Sequence, residues 1–169
     1  MSSRILDFYR GGQDDEGRTL DEILSWPDSE LEAVHDFIQW LFPLPERSGA
    51  NPFAPILDAA TISSFQHSKD LQERLRKSFL RMLRFYGLEF HAGVVRPGAY
   101  FAERSANWLH PGNHNHLRLT RMLRSLRLLG LTMESTALFK ALSKIYEKHP
   151  DCITSRTYQF WKNAAEETE

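Results

Sequence analysis

The chain is predicted to be all-α, a single compact domain of about seven helices, two or three of them long. Three observations carry this. Apolar residues recur at helical spacing almost throughout, no run of strict alternation marks a strand, and capping residues, glycines and prolines stand where helices would begin and end. With 169 residues, 41% of them hydrophobic, the chain is long enough to bury a substantial core, and residues 1–169 are expected to form that one domain.

In chain order, Thr19 and Glu22 of "TLDE" form a capping-box pattern, in which each side chain satisfies an otherwise unpaired backbone N–H. They open a short helix that Pro27 ends near Trp26. "SELE" at 29–32 repeats the pattern, and the next helix carries Leu31, Val34, Ile38, Leu41 and Phe42 on one side until Pro43 stops it. Pro43, Pro45, Pro52 and Pro55 with Gly49 and Asn51 make 43–57 an unusually long loop, in which Phe53, Ile56 and Leu57 are expected to pack. A short helix follows Asp58. A long one runs from about Ser68 to Tyr86, with Leu71, Leu75, Phe79, Met82, Leu83 and Tyr86 on one side and Gly87 as its C-terminal stop. "HAGVVRPG" at 91–98 reads as a turn-rich break, and 99–105 as a short helix. The next long helix starts in the segment after Asn107 and ends at Gly130. Another begins at Thr132 or Glu134, turns Leu138, Leu142, Ile145 and Tyr146 inward, and is closed by Pro150. A last helix from about Ser155 packs Tyr158 and Trp161, and the tail "EETE" is expected to fray.

A formal charge of -1 and a pI near 6.7 give no overall bias toward nucleic acid or an anionic membrane. Cys152 is the one cysteine, which excludes an internal disulfide and a cysteine-rich zinc site and fits a reducing compartment. "MSSRILDFYRGG" at the start holds a single short apolar cluster, and nowhere do eighteen apolar residues run together. The expectation is a soluble, cytoplasmic chain without a transmembrane segment, peripheral membrane association being left open.

Residues 107–130, "NWLHPGNHNHLRLTRMLRSLRLLG", invite two chemical readings. His110 and His114 have the i, i+4 spacing of two metal ligands on one helical turn, with His116 close by. Pro111 and Gly112 oppose a continuous helix there, and the nearest carboxylates in sequence are Glu103 and Glu134. A metal-dependent hydrolase using these histidines is therefore the least favoured alternative. The preferred reading has histidines and asparagines capping a helix start, with no metal and no cofactor. Further on, Leu119, Met122, Leu123, Leu126 and Leu129 share one helical face, while Arg118, Arg121, Arg124 and Arg127 spread over the other. Arg74, Lys77, Arg81 and Arg84 share a tighter face on the preceding long helix. Residues 69–127 hold twelve Lys/Arg against four Asp/Glu, and the remainder nine against eighteen. The basic faces are either solvated or paired with the acidic first third, or they form a patch for nucleic acid or another anionic partner. No nucleic-acid motif accompanies the charge, so the first reading is favoured. His149 and Cys152 are separated by Pro150 and lack an orienting third group. There is no glycine-rich phosphate loop and no nucleophile elbow, and the chain is expected not to be an enzyme.

"LEAVHDFIQWLFPLPE" (31–46), "LQERLRKSFLRMLRFYGLEF" (71–90) and "NWLHPGNHNHLRLTRMLRSLRLLGL" (107–131), in that order, resemble the conserved N-terminal domain of the opioid growth factor receptor family. The resemblance extends through "RTYQFWKNA" and covers nearly the whole chain. It implies a receptor-like, non-enzymatic binding domain. Animal members are receptors for the pentapeptide Met-enkephalin associated with the nucleus and its envelope, so nuclear or perinuclear association is also implied. This chain is expected to be a short stand-alone member, without the long polar, repeat-bearing tail of the animal proteins. A peptide or small protein partner would call for a groove between helices, and Trp40, Phe42, Tyr86 and Trp108 are its natural lining, since buried rings supply most contact energy for small apolar ligands. Each ring taken singly is expected to fill the core instead.

Overall fold

The computed structural model describes residues 3–166, so residues 167–169 of the tail expected to fray lie outside it. The chain is mostly helical, as predicted, with ten helices and one small hairpin among the described residues. It divides into two units, one ending at Arg81 and one beginning at Met82.

In the first unit, Ser3 caps α1 (Arg4–Tyr9), a helix too short for periodicity to reveal, whose Ile5, Phe8 and Tyr9 are buried. Thr19 and Glu22 form the predicted capping box, with both reciprocal bonds present, at the start of α2 (Leu20–Leu24). The single helix expected after it is two short ones, α3 (Asp28–Ala33) and α4 (Ile38–Leu41). Pro27 occupies the cap position, so "SELE" forms no capping box, and Val34 is extended at φ -94° and ψ 128°. Tertiary partners outweigh the local spacing here. Asp36 accepts from Arg18 at 2.9 Å, and Phe37, wholly buried, stands edge-on to Trp26 with centroids 5.7 Å apart.

Residues 43–57 are a loop, but of the three apolar residues expected to pack there, Phe53, Ile56 and Leu57, only Leu57 is buried. Phe53 is 81% exposed, held in a turn closed by Ala54 N–H on the Asn51 carbonyl, and Ile56 is 46% exposed. Asp58 caps α5 (Ala59–Gln66), accepting the Thr61 N–H at 2.7 Å. The long helix α6 (Lys69–Tyr86) follows, and its Leu71, Leu75 and Phe79 are buried as predicted. Tyr9 is the centre of this unit. Its hydroxyl donates to the Leu41 carbonyl at 2.6 Å and lies 3.0 Å from Ser78 Oγ, while its ring meets Phe65 edge-on at 5.1 Å. Burial raises its pKa, the Ser78 bond opposing, so the phenol stays neutral.

In the second unit, Met82, Leu83 and Tyr86 complete the buried stripe of α6, and Gly87 ends it at φ +81°. The segment read as a break holds a hairpin: β1 (Leu88–His91) pairs antiparallel with β2 (Val94–Pro97), Leu88 opposite Pro97 and His91 opposite Val94. Ala92 and Gly93 supply the two positive φ values, 50° and 79°, that a tight two-residue turn requires. With four residues per strand and only Leu88 and Val95 buried, no alternation was there to be read. Next come α7 (Phe101–Trp108), α8 (Asn115–Leu128), α9 (Thr132–Lys148) and α10 (Ser155–Glu166). Leu119, Met122, Leu123 and Leu126 of α8 are buried with Leu138 and Leu142 of α9 and Trp161 of α10. Ser135, fully buried, donates to the Leu123 carbonyl at 2.7 Å and draws α9 close to α8. Among the described residues, no helix is long and apolar enough to cross a membrane.

Candidate functional site

The segment 107–116 is organised by Trp108. Its indole N–H donates to the Tyr86 carbonyl at 3.1 Å, and the Tyr86 hydroxyl donates to the Asn115 carbonyl at 3.1 Å. His116 Nε2 lies 2.8 Å from the Trp108 carbonyl, and the Trp161 indole N–H donates to the His116 carbonyl at 3.0 Å. The rings follow edge to face, Tyr86 to Trp108 at 5.3 Å, Trp108 to His116 at 6.2 Å and His116 to Trp161 at 5.6 Å. A carbonyl only accepts, so Nε2 carries the proton. Burial holds the His116 pKa below its ordinary value; the bond to Trp108 pulls upward, and His110 and His114 push it further down.

His116 is 3% exposed, whereas His110 and His114 are exposed. His110 Nε2 lies 3.2 Å from both the Asn107 carbonyl and Asn113 Nδ2, and Asn113 Oδ1 accepts the Asn115 N–H at 2.9 Å, so an asparagine does help to start α8. Among the described residues, no group of three or more His, Cys, Asp or Glu is placed to hold a metal ion. The four rings named for a groove are core residues. Trp40 and Phe42 are buried in the first unit, Tyr86 and Trp108 in the second, and none presents a face to a ligand.

The eight cations separate in the same way. Arg81 is 7% exposed; it donates to the Trp26 carbonyl at 2.7 Å and pairs with Asp28 at 2.9 Å. Arg118 is 5% exposed. Burial removes these two from the basic surface. Arg74 donates to the Tyr9 carbonyl at 3.0 Å, and Lys77 and Arg84 are exposed. Arg121, Arg124 and Arg127 are half-buried, Arg127 Nε donating to the Ala164 carbonyl at 3.1 Å.

An open groove of about 670 Å³ lies where the sequence indicated nothing, between β2 and α9. Gly93, Val94 and Val95 form one wall. The other is a face of α9 on which Met133, Ala137 and Ala141 recur every four residues, beside Lys140, Lys144 and Glu147. Val94 is 53% exposed and Met133 74%, both large apolar side chains left facing water. The groove was missed because β2 was read as a turn. Its legible signal was Met133, off the buried stripe of its helix, followed at helical spacing by alanines and two lysines four residues apart.

The profile of the opioid growth factor receptor (OGFr) conserved region matches residues 3–165. The chain is 40% identical to the opioid growth factor receptor of Mus musculus over 121 residues, which cover 68% of this chain and 19% of the relative. Against the Homo sapiens receptor the identity is again 40% over 121 residues, covering 68% and 18%. Opioid growth factor receptor-like protein 1 of Mus musculus is 35% identical over 130 residues, 74% of this chain and 28% of the relative. The chain thus spans well under a third of the length of these curated relatives. No solved structure matches.

Proposed function

The chain belongs to the opioid growth factor receptor family through its conserved region, and from that premise we propose that it is a non-enzymatic domain that binds a short peptide in the groove between β2 and α9. The groove itself carries this reading. Its volume lies in the range of small-ligand sites, and its walls join an apolar strip of Val94, Val95, Met133, Ala137 and Ala141 to an equal share of polar and charged side chains. The face of α9 from Thr132 to Glu147 is about 22 Å long at 1.5 Å per residue, and an extended pentapeptide of about 16 Å lies within it. The name of the relatives points to an opioid peptide as the first ligand to try. The anion-binding alternative has less support, since Arg81 and Arg118 are buried.

Calorimetric titration with Met-enkephalin, using a scrambled pentapeptide as control, tests the proposal. Saturable heat from the true sequence, abolished by Met133→Asp in a protein of unchanged circular dichroism, is expected. Absence of heat from both peptides would overturn it.

A further inference from the structure

Resting on that reading, we propose that the groove selects the free C-terminal carboxylate of an extended peptide, which pairs as a third strand along β2 and ends on Lys140 and Lys144. The strand edge comes first. In a hairpin closed by a two-residue turn the flanking pair, here His91 and Val94, is hydrogen-bonded, so the next pair, Phe90 and Val95, is not. The N–H and C=O of Val95 therefore point away from β1. Among the described residues, none of the backbone bonds outside the helices and strands reaches them. Val94 and Val95 project to opposite faces of the strand, yet both line the groove, so the groove runs past the outer edge of β2. An extended peptide lying there meets one ready donor and one ready acceptor.

Charge then fixes which end of the peptide lies where. Lys140 and Lys144 stand one turn apart, about 6 Å along the axis of α9, and both are exposed. Neither has an ion pair or side-chain hydrogen bond among the described residues. Two ammonium groups one helical turn apart on the groove wall suit a carboxylate. From their midpoint back to Met133 the helix rises about 13 Å, the length of about four extended residues, and along that stretch lie Ala141, Ala137, Met133 and Val94. The last residues of the peptide are therefore apolar.

The test uses the whole chain and acetylated Ser-Val-Leu-Val, as the free acid and as the C-terminal amide, with affinities read by calorimetry. The free acid should bind tighter by about tenfold or more, as expected for a charge-assisted bond. Lys140→Gln combined with Lys144→Gln, both exposed positions, should lower the acid to the affinity that the same variant has for the amide. Equal binding of acid and amide overturns the inference and leaves the peptide-binding reading in place. So does an amidated peptide with an internal aspartate that binds as well as the free acid, or binding of the pentapeptide with neither tetrapeptide bound. No binding by any of these peptides removes both.

Discussion

His116 is a neutral imidazole packed between two indoles, its one N–H given to the Trp108 carbonyl. Protonation places a charge and a second N–H in a site that is 3% exposed. The folded pKa lies below 6.5, so below that pH the unfolded chain binds more protons than the folded one. The stability His116 contributes is complete above about pH 6.5 and is lost as the pH falls through the folded value. His116→Gln keeps a donor for Trp108 and cannot titrate. Urea midpoints measured near pH 7.5 and about pH 5 should fall less for the variant than for the wild type. Equal falls would assign the acid sensitivity to the carboxylates alone. Arg81 makes a second prediction at this scale, because its neighbour on the same helix, Arg84, differs from it only in surroundings. Arg81→Gln breaks a buried pair, but the Asp28 side chain is 32% exposed and regains water, so the cost should be about 2 kcal/mol. Arg84→Gln should change stability by no more than about 0.5 kcal/mol. Similar denaturant midpoints for the two variants would show that burial of Arg81 contributes nothing.

At the scale of elements, Gly87 joins a helix stop to a close approach. Its φ is +81°, and a Cβ there would stand 2.8 Å from Phe101 Cα and 2.9 Å from Arg104 Cβ. Gly87→Ala should therefore cost about 2–4 kcal/mol, through both the left-handed backbone and the displaced start of α7. Gly112 also has a positive φ but open space around it, and Gly112→Ala should cost only about 1 kcal/mol. Thermal or urea unfolding of the pair separates the two contributions, and equal losses would leave the φ penalty as the whole effect. Gly87 was legible in the sequence because a glycine after a long apolar stripe marks a helix end, and so were the Thr19–Glu22 box, the Asp58 cap and the stripes of α6, α8 and α9. What was not legible depended on partners distant in sequence. The break between α3 and α4 follows Asp36 and Phe37, whose partners Arg18 and Trp26 no spacing rule connects to them. The hairpin consists of residues that pair without alternating. The groove is a consequence of that hairpin, so its wall of Val94 and Val95 could not be found before β2 was.

Across the whole chain, charge is segregated by sequence more than it is presented to solvent. The block 69–127 holds twelve cations against four anions, which alone would suggest affinity for phosphates. Many of those cations are used within their own unit. Arg76 pairs with Glu73 and Arg96 with Glu89, Arg74 and Arg104 donate to backbone carbonyls, and Arg81 and Arg118 are buried. Lys69, Lys77 and Arg84 remain exposed with no ion pair among the described residues. Each phosphate neutralised on duplex DNA contributes about -0.9 to the slope of log affinity against log salt, so the three such cations of this block contribute a slope of about -3. The net charge of -1 adds no general attraction. Anisotropy titrations of a labelled duplex between about 50 and 200 mM salt should therefore show weak binding with no steeper dependence. A slope near -7 would mean that all eight cations of the two predicted basic faces reach phosphates, which requires Arg81 to leave Asp28 and Arg118 to leave the interior of its unit.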